Sequence, residues 1–191
     1  MEADWEFEIG GDSPAIDAGW SGFVDLREDP ERISSLAEVA ALPSFADLLV
    51  GLNRNGSPMW TAKCDFFPSL TEDEFDASEL DASAEDARYA VACYVDLLPA
   101  VTETWRRPEQ VAEACVRICS RLHAAVLSNC RADLVIRRAV APDPVIEFAV
   151  TAYITACGAT SEAARAVMAK AMRIFSDAVV SAGNPDDRQS S

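Results

Sequence analysis

The sequence predicts an α+β fold: a two-layer sandwich in which a mainly antiparallel sheet of about five to six strands carries three helices on one face. Three observations predict it. Short segments alternate apolar and polar residues with the period of half-buried strands. Two longer segments place apolar residues at helical spacing. The order helix–strand–strand occurs twice along the chain. Half of the 191 residues are apolar, enough for a core without disulfides or metal. The length suits a single domain over 1–183, with a flexible tail at 184–191.

The elements follow in order. "DWEFEI" at 4–9 alternates Trp5, Phe7 and Ile9 against acids and reads as a strand. "GGDSP" is a turn, and "IDAGWSGFVDLR" at 16–27 is apolar enough for a second strand, although Gly19 and Gly22 weaken it. Asp29-Pro30 signals an N-cap followed by proline in the first turn, with Ile33, Leu36 and Ala40 on the buried face. Pro43 breaks or restarts that helix, and Phe45, Leu48, Leu49 and Leu52 continue its stripe. "PMWTAKCDFFP" at 58–68 is a strand, 71–86 an acidic loop with about one helical turn, and 88–98 the next strand. Pro108 opens a helix to about Leu127. Residues 132–141 and 145–157 form a hairpin across Pro142-Asp143-Pro144. Thr160 or Ser161 caps a last helix carrying Ala164, Val167, Met168, Ala171, Ile174, Phe175 and Ala178 on one face.

"YAVACYVDLLPA" at 89–100 and "FAVTAYITACGA" at 148–159 share Ala90/Ala149, Val91/Val150, Tyr94/Tyr153 and Ala100/Ala159. Each is the second strand of a helix–strand–strand unit, which suggests an internal duplication. Tyr94 and Tyr153 should then occupy equivalent positions on one side of the sheet. Alternation sorts the remaining side chains. Trp60, Ala62, Cys64 and Phe66 share a face, as do Val91, Cys93, Val95 and Leu97, and Val150, Ala152, Ile154 and Ala156. These apolar sets should meet the helices. The outer face is left with Thr61, Lys63, Asp65, Tyr94, Asp96, Thr151, Tyr153, Thr155 and Arg137.

The formal charge is −16, from 32 acidic and 16 basic residues, of which only Lys63 and Lys170 are lysine. Such a field opposes nucleic-acid backbones and anionic membranes and favours a protein partner with a basic or polar surface. Arginine in place of lysine in so alanine-rich a sequence reads first as high-GC coding bias, and low lysine with excess acid also fits a salt-adapted host. No basic segment followed by an apolar run opens the sequence, and no apolar run approaches the ~20 residues of a membrane span. The expected location is cytoplasmic, with six reduced cysteines serving as small core residues.

No catalytic constellation is legible. Cys115, Cys119 and the single histidine, His123, form a straight row on one helix. A row does not converge on a tetrahedral ion, and the thiols continue an apolar stripe, so no metal or other cofactor is expected. There is no CxxC pair, nucleophile elbow or phosphate-binding glycine loop. Glu72, Asp73, Glu74 and Asp76 lack the spacing of a calcium loop and are assigned to electrostatic steering. The leading expectation is a non-catalytic acidic interaction module, of the adaptor, inhibitor, immunity-type or chaperone-like kind. It would bind its partner through Lys63, Asp65, Tyr94, Asp96, Arg137 and Tyr153, or bury that face in a homodimer. The alternative is a small enzyme or enzyme subunit using a carboxylate/lysine site on the same face, with Asp65, Asp96 and Lys63 lining a deep pocket.

Overall fold

The computed structural model describes residues 1–18, 20, 22–71, 73–140 and 146–182. The tip of the expected hairpin at Pro142-Asp143-Pro144, the tail from 184 and Glu72 lie outside the described residues. The opening alternation forms β1 (Glu2–Phe7). The strand expected over 16–27 is corrected to the two residues of β2 (Ile16–Asp17). Gly22 has a φ of 98°, a left-handed conformation that no extended strand continues through.

Pro30 opens a 3-10 turn at Pro30–Ser35, and the Asp29 side chain makes no capping bond to it. Leu36 is extended, after which α1 (Ala37–Ala41) forms; Pro43 then restarts the chain as α2 (Ser44–Asn53). β3 (Met59–Leu70) and β4 (Tyr89–Pro99) flank the acidic segment. A 3-10 turn at Thr102–Trp105 leads into α3 (Pro108–Ala124). β5 (Cys130–Val140), β6 (Phe148–Gly158) and α4 (Ser161–Ala182) complete the order. Thr160 Oγ1 accepts the Ala163 N–H at 3.1 Å, capping α4 as its sequence predicts.

The fold is α+β. The six strands form a mostly antiparallel sheet in the order β1-β5-β6-β4-β3, with β2 added beside β5. β1 runs parallel to β5, and the β5/β6, β6/β4 and β4/β3 pairs are antiparallel. Helices α2, α3 and α4 cover one face. Their apolar stripes meet Val91, Val95, Leu134, Ile136, Val150 and Ile154 in one contiguous core. Gly158 makes the approach of α4 to the sheet close: a Cβ there would lie 2.5 Å from the Ala164 backbone nitrogen.

A register shift in β3 decides what the outer face contains. Thr61 faces Leu97 and Lys63 faces Asp96, so Ala62 is an extra residue opposite no partner. A bulge reverses the in–out alternation on its two sides. The expectation that Trp60, Ala62, Cys64 and Phe66 share a face is therefore corrected. Phe66 and partly buried Cys64 join the helix-side core, whereas Trp60 and Ala62 pack on the outer side with Leu98 and Ala149. Thr61 moves the other way. It turns toward α2, where its N–H and hydroxyl bond the Asn53 side chain at 3.1 and 2.7 Å.

The outer face is roofed at two places. Ile16, Ala18 and Phe23 cross it beside β5 and cover Trp60, Ala62, Leu98 and Ala149. The same strap then wraps around the β3 edge, so that Leu26 reaches the helix-side core. Farther along the sheet the acidic segment is anchored rather than free: Leu80 is buried on Ala90 and Cys157, with Leu70, Phe75, Ala82 and Ala87 around it.

Candidate functional site

Between the two roofs lies a strip of sheet, buried at Asp96, Thr151 and Val135 and half-open at the tyrosines, whose floor follows from the cross-strand register. One row reads Lys63, Asp96, Thr151, Val135 and Glu6 from edge to edge. The next reads Asp65, Tyr94, Tyr153, Asp133 and Asp4. Directly opposed residues of antiparallel strands point the same way. Tyr94 and Tyr153 therefore stand side by side, with ring centroids 6.0 Å apart, and Phe67 extends the aromatic patch 6.3 Å beyond Tyr94. Both tyrosines are half-buried and have a carboxylate on their outer flank.

The six residues assigned to partner binding all lie on this face, and the structure links four of them. Arg137 Nη1 donates to Thr151 Oγ1 and to the Tyr153 hydroxyl, each at 3.1 Å. Its Nε donates to Glu8 at 2.8 Å. Thr151 Oγ1 in turn donates to Asp96 Oδ1 at 2.6 Å. Tyr94 joins through its ring contact with Tyr153. Lys63 and Asp65 are exposed at the β3 end of the two rows.

Burial and charge set the ionisation of this network. Burial pushes the Asp96 carboxyl up, against the Thr151 hydrogen bond and the charges of Arg137 and Lys63, and the balance remains upward. Burial pushes the Tyr94 hydroxyl up to about 12, aided by Asp96 and Asp65. Burial opposes the charged form of Arg137, but its bonds to Glu8 and Tyr153 prevail and its pKa is raised. Asp133 is raised by burial, with Arg131 pulling down and Glu79 and Asp4 pushing up. Glu79 thereby brings the acidic segment to bear on the Asp133 end of the tyrosine row.

The residues assigned to steering follow the end of β3, in the acidic segment between β3 and β4. Asp73, Glu74 and Asp76 are exposed. Their carboxyls are held below the usual range by hydrogen bonds, from Thr71 for the first two and from Ser78 for Asp76. They stay ionised at neutral pH.

Several contributors escaped the sequence reading. Asp133 and Arg131 share the parity of Arg137 along β5, so strand alternation alone could have placed them on this face. Glu8 had no local signal, because its position beside Arg137 depends on the parallel pairing of β1 with β5. The helix row on α3 does not form a cluster: Cys115 and Cys119 are buried in the core while His123 is exposed. Among the described residues no group of three or more His, Cys, Asp and Glu is arranged to hold a metal ion. No helix among them is long and apolar enough to cross a membrane.

The β3 edge is guarded. Asn53 takes the Thr61 N–H, the Asp65 carboxylate takes the Phe66 N–H at 2.8 Å, and Pro68 has none to offer. Such devices discourage pairing with a further strand. Beside this edge the strap leaves a cleft of about 310 Å³ that Lys63, Asp65 and Tyr94 help to line; Asp96 is not among its lining residues. Comparison with protein-family models, curated proteins and solved structures finds no match to this chain.

Proposed function

We propose that the protein is a non-catalytic interaction module that docks a basic segment of a partner protein along the strip between the two roofs. The carrying observation is the row Asp65, Tyr94, Tyr153, Asp133, an aromatic pair bracketed by carboxylates on a half-open floor. Tyrosines offer large rigid contact area at low entropic cost, and their ring faces attract cations. Flanking carboxylates add charge complementarity. The guarded β3 edge supports contact through the face over strand addition at that edge. The reading of the same residues as a carboxylate/lysine reaction site has less support, because Lys63 and Asp65 line the cleft and Asp96 does not.

The test is capture from native-host lysate with the parent and with a Tyr94→Ala/Tyr153→Ala variant, followed by surface-binding kinetics on the captured protein. The double variant should release a basic partner faster, with a loss of roughly 1–3 kcal/mol in total. A partner held equally well by both proteins places the interface elsewhere. A variant that keeps its partner but loses turnover of a small molecule replaces this reading with the enzymatic one.

A further inference from the structure

The cleft at the β3 edge exists because three features coincide. The bulge at Ala62 breaks the edge strand's alternation, the strap crosses from the outer face to the helix layer at that point, and α1 and α2 approach from the other side. Its walls are Trp20 and Phe23 from the strap and Leu36 and Leu49 from the helix layer. Trp20 Nε1 points at the Ala62 carbonyl, 3.5 Å away, which aligns the indole along the bulge. At about 310 Å³ the cleft stands at the small end of the range of small-molecule sites, roughly 300–1,000 Å³.

The charged groups around this apolar space are unequal. Glu38 and Asp65 bring two carboxylates, and Lys63 brings one ammonium. Among the described residues the Glu38 carboxylate makes no hydrogen bond or ion pair within the structure. Asp65 uses one oxygen on the Phe66 N–H. Lys63 stands opposite Asp96 on β4, so its charge has a neighbour on the sheet side. Cys64 gives an independent sign of the local field: burial first, then Glu38, Asp65 and Asp96, push its thiol up to about 12.

We propose that this cleft is a binding site for a small organic cation: a primary amine on an aromatic or branched apolar body, its ring between Trp20, Phe23 and Leu36 and its ammonium between Glu38 and Asp65. Complementarity in both halves selects the class. A neutral ring compound fills the walls but leaves the carboxylates without a cation, and an aromatic acid brings charge of the wrong sign. The inference does not rest on the partner-docking reading, and its test contains no partner protein.

The experiment is an amide and indole NMR titration of the whole protein with 2-phenylethylamine, 2-phenylethanol, phenylacetate and phenylalanine. The amine should shift the Trp20 indole and the Ala62–Asp65 amides and bind about tenfold more tightly than the alcohol, the scale of one charge-assisted hydrogen bond. Phenylacetate should not saturate. Glu38→Gln/Asp65→Asn should remove the preference for the amine and leave the weak alcohol binding in place. Both positions are partly or fully exposed, so the fold should survive, which thermal melting checks. Trp20→Ala should weaken amine and alcohol by the same factor. Equal binding of amine and alcohol, shifts centred elsewhere, or no saturation by the amine overturns the proposal. Tighter binding of phenylalanine than of the amine also overturns it, in favour of an amino-acid site that uses Lys63 for the carboxylate.

Discussion

Asp96 sits mid-strip, 7% exposed, with Thr151 donating to one oxygen and Lys63 and Arg137 supplying positive charge. Its carboxyl is nonetheless raised above the ordinary value of 3.8, so burial outweighs its partners. A raised acid binds its proton more tightly folded than unfolded. Stability linked to it is fully present below the unfolded value and lost as pH rises through the folded one. Asp96→Asn, which still accepts from Thr151, should therefore raise the thermal midpoint at neutral pH. The gain should vanish on acidification below the ordinary carboxylate value. A gap that stays constant from pH 7 to pH 3 would contradict this account. Cys64 offers a second test. It is the one cysteine of the six that is only partly buried, yet its thiol is pushed up to about 12. Alkylation near pH 8 should run on the order of a hundredfold slower than for an ordinary exposed thiol, and Glu38→Gln should speed it.

Among the elements, the acidic segment between β3 and β4 changes character most between sequence and structure. Its composition predicts a solvated loop, but Leu80 fixes it to the outer side of β4 and β6. Leu80→Ala should cost up to about 2–5 kcal/mol, the range for removing a buried leucine side chain. Two local readouts should accompany the loss. Cys157, buried beneath this segment, should become reactive to thiol reagents, and proteolysis should begin between Thr71 and Ala87. An unchanged Cys157 labelling rate would mean that the segment is held by something other than Leu80. The β3 bulge belongs to the same scale. Alternation along "PMWTAKCDFFP" correctly marks a strand, but the pattern carries no sign of the extra residue that sends Trp60 and Cys64 to opposite faces. Cross-strand pairing creates a bulge, and pairing is a long-range choice.

Across the whole molecule, a formal charge of −16 surrounds a strip of sheet that itself carries both signs. Long-range charge governs the rate of encounter and short-range contacts govern the lifetime of the complex. Neutralising Asp73, Glu74 and Asp76 together with Glu72 should lower the association rate of a basic partner. The deficit should shrink as salt shortens the screening length to about 8–10 Å. Glu79→Gln should act more strongly than any one of these, since Glu79 reaches the Asp133 end of the tyrosine row. Stopped-flow or surface kinetics over a salt series distinguishes the two. A deficit independent of salt would assign these carboxylates to contact rather than steering.

The sequence by itself determined the class of the fold, the helix-facing sets of β4 and β6, and the outward placement of Lys63, Asp65, Tyr94, Asp96, Arg137 and Tyr153. All of these follow from local periodicity, which side chains obey whatever their neighbours are. The sequence match that paired Tyr94 with Tyr153 also anticipated their sharing one side of the sheet, though the duplication behind it remains a reading of the sequence. Only the tertiary structure decided which strands adjoin. That choice set Glu8 beside Arg137, lined up Asp65, Tyr94, Tyr153 and Asp133 in one row, and laid the strap across Trp60. It also opened the cleft at the β3 edge, because register and strand order arise from contacts between residues far apart in the chain, where no local pattern records them.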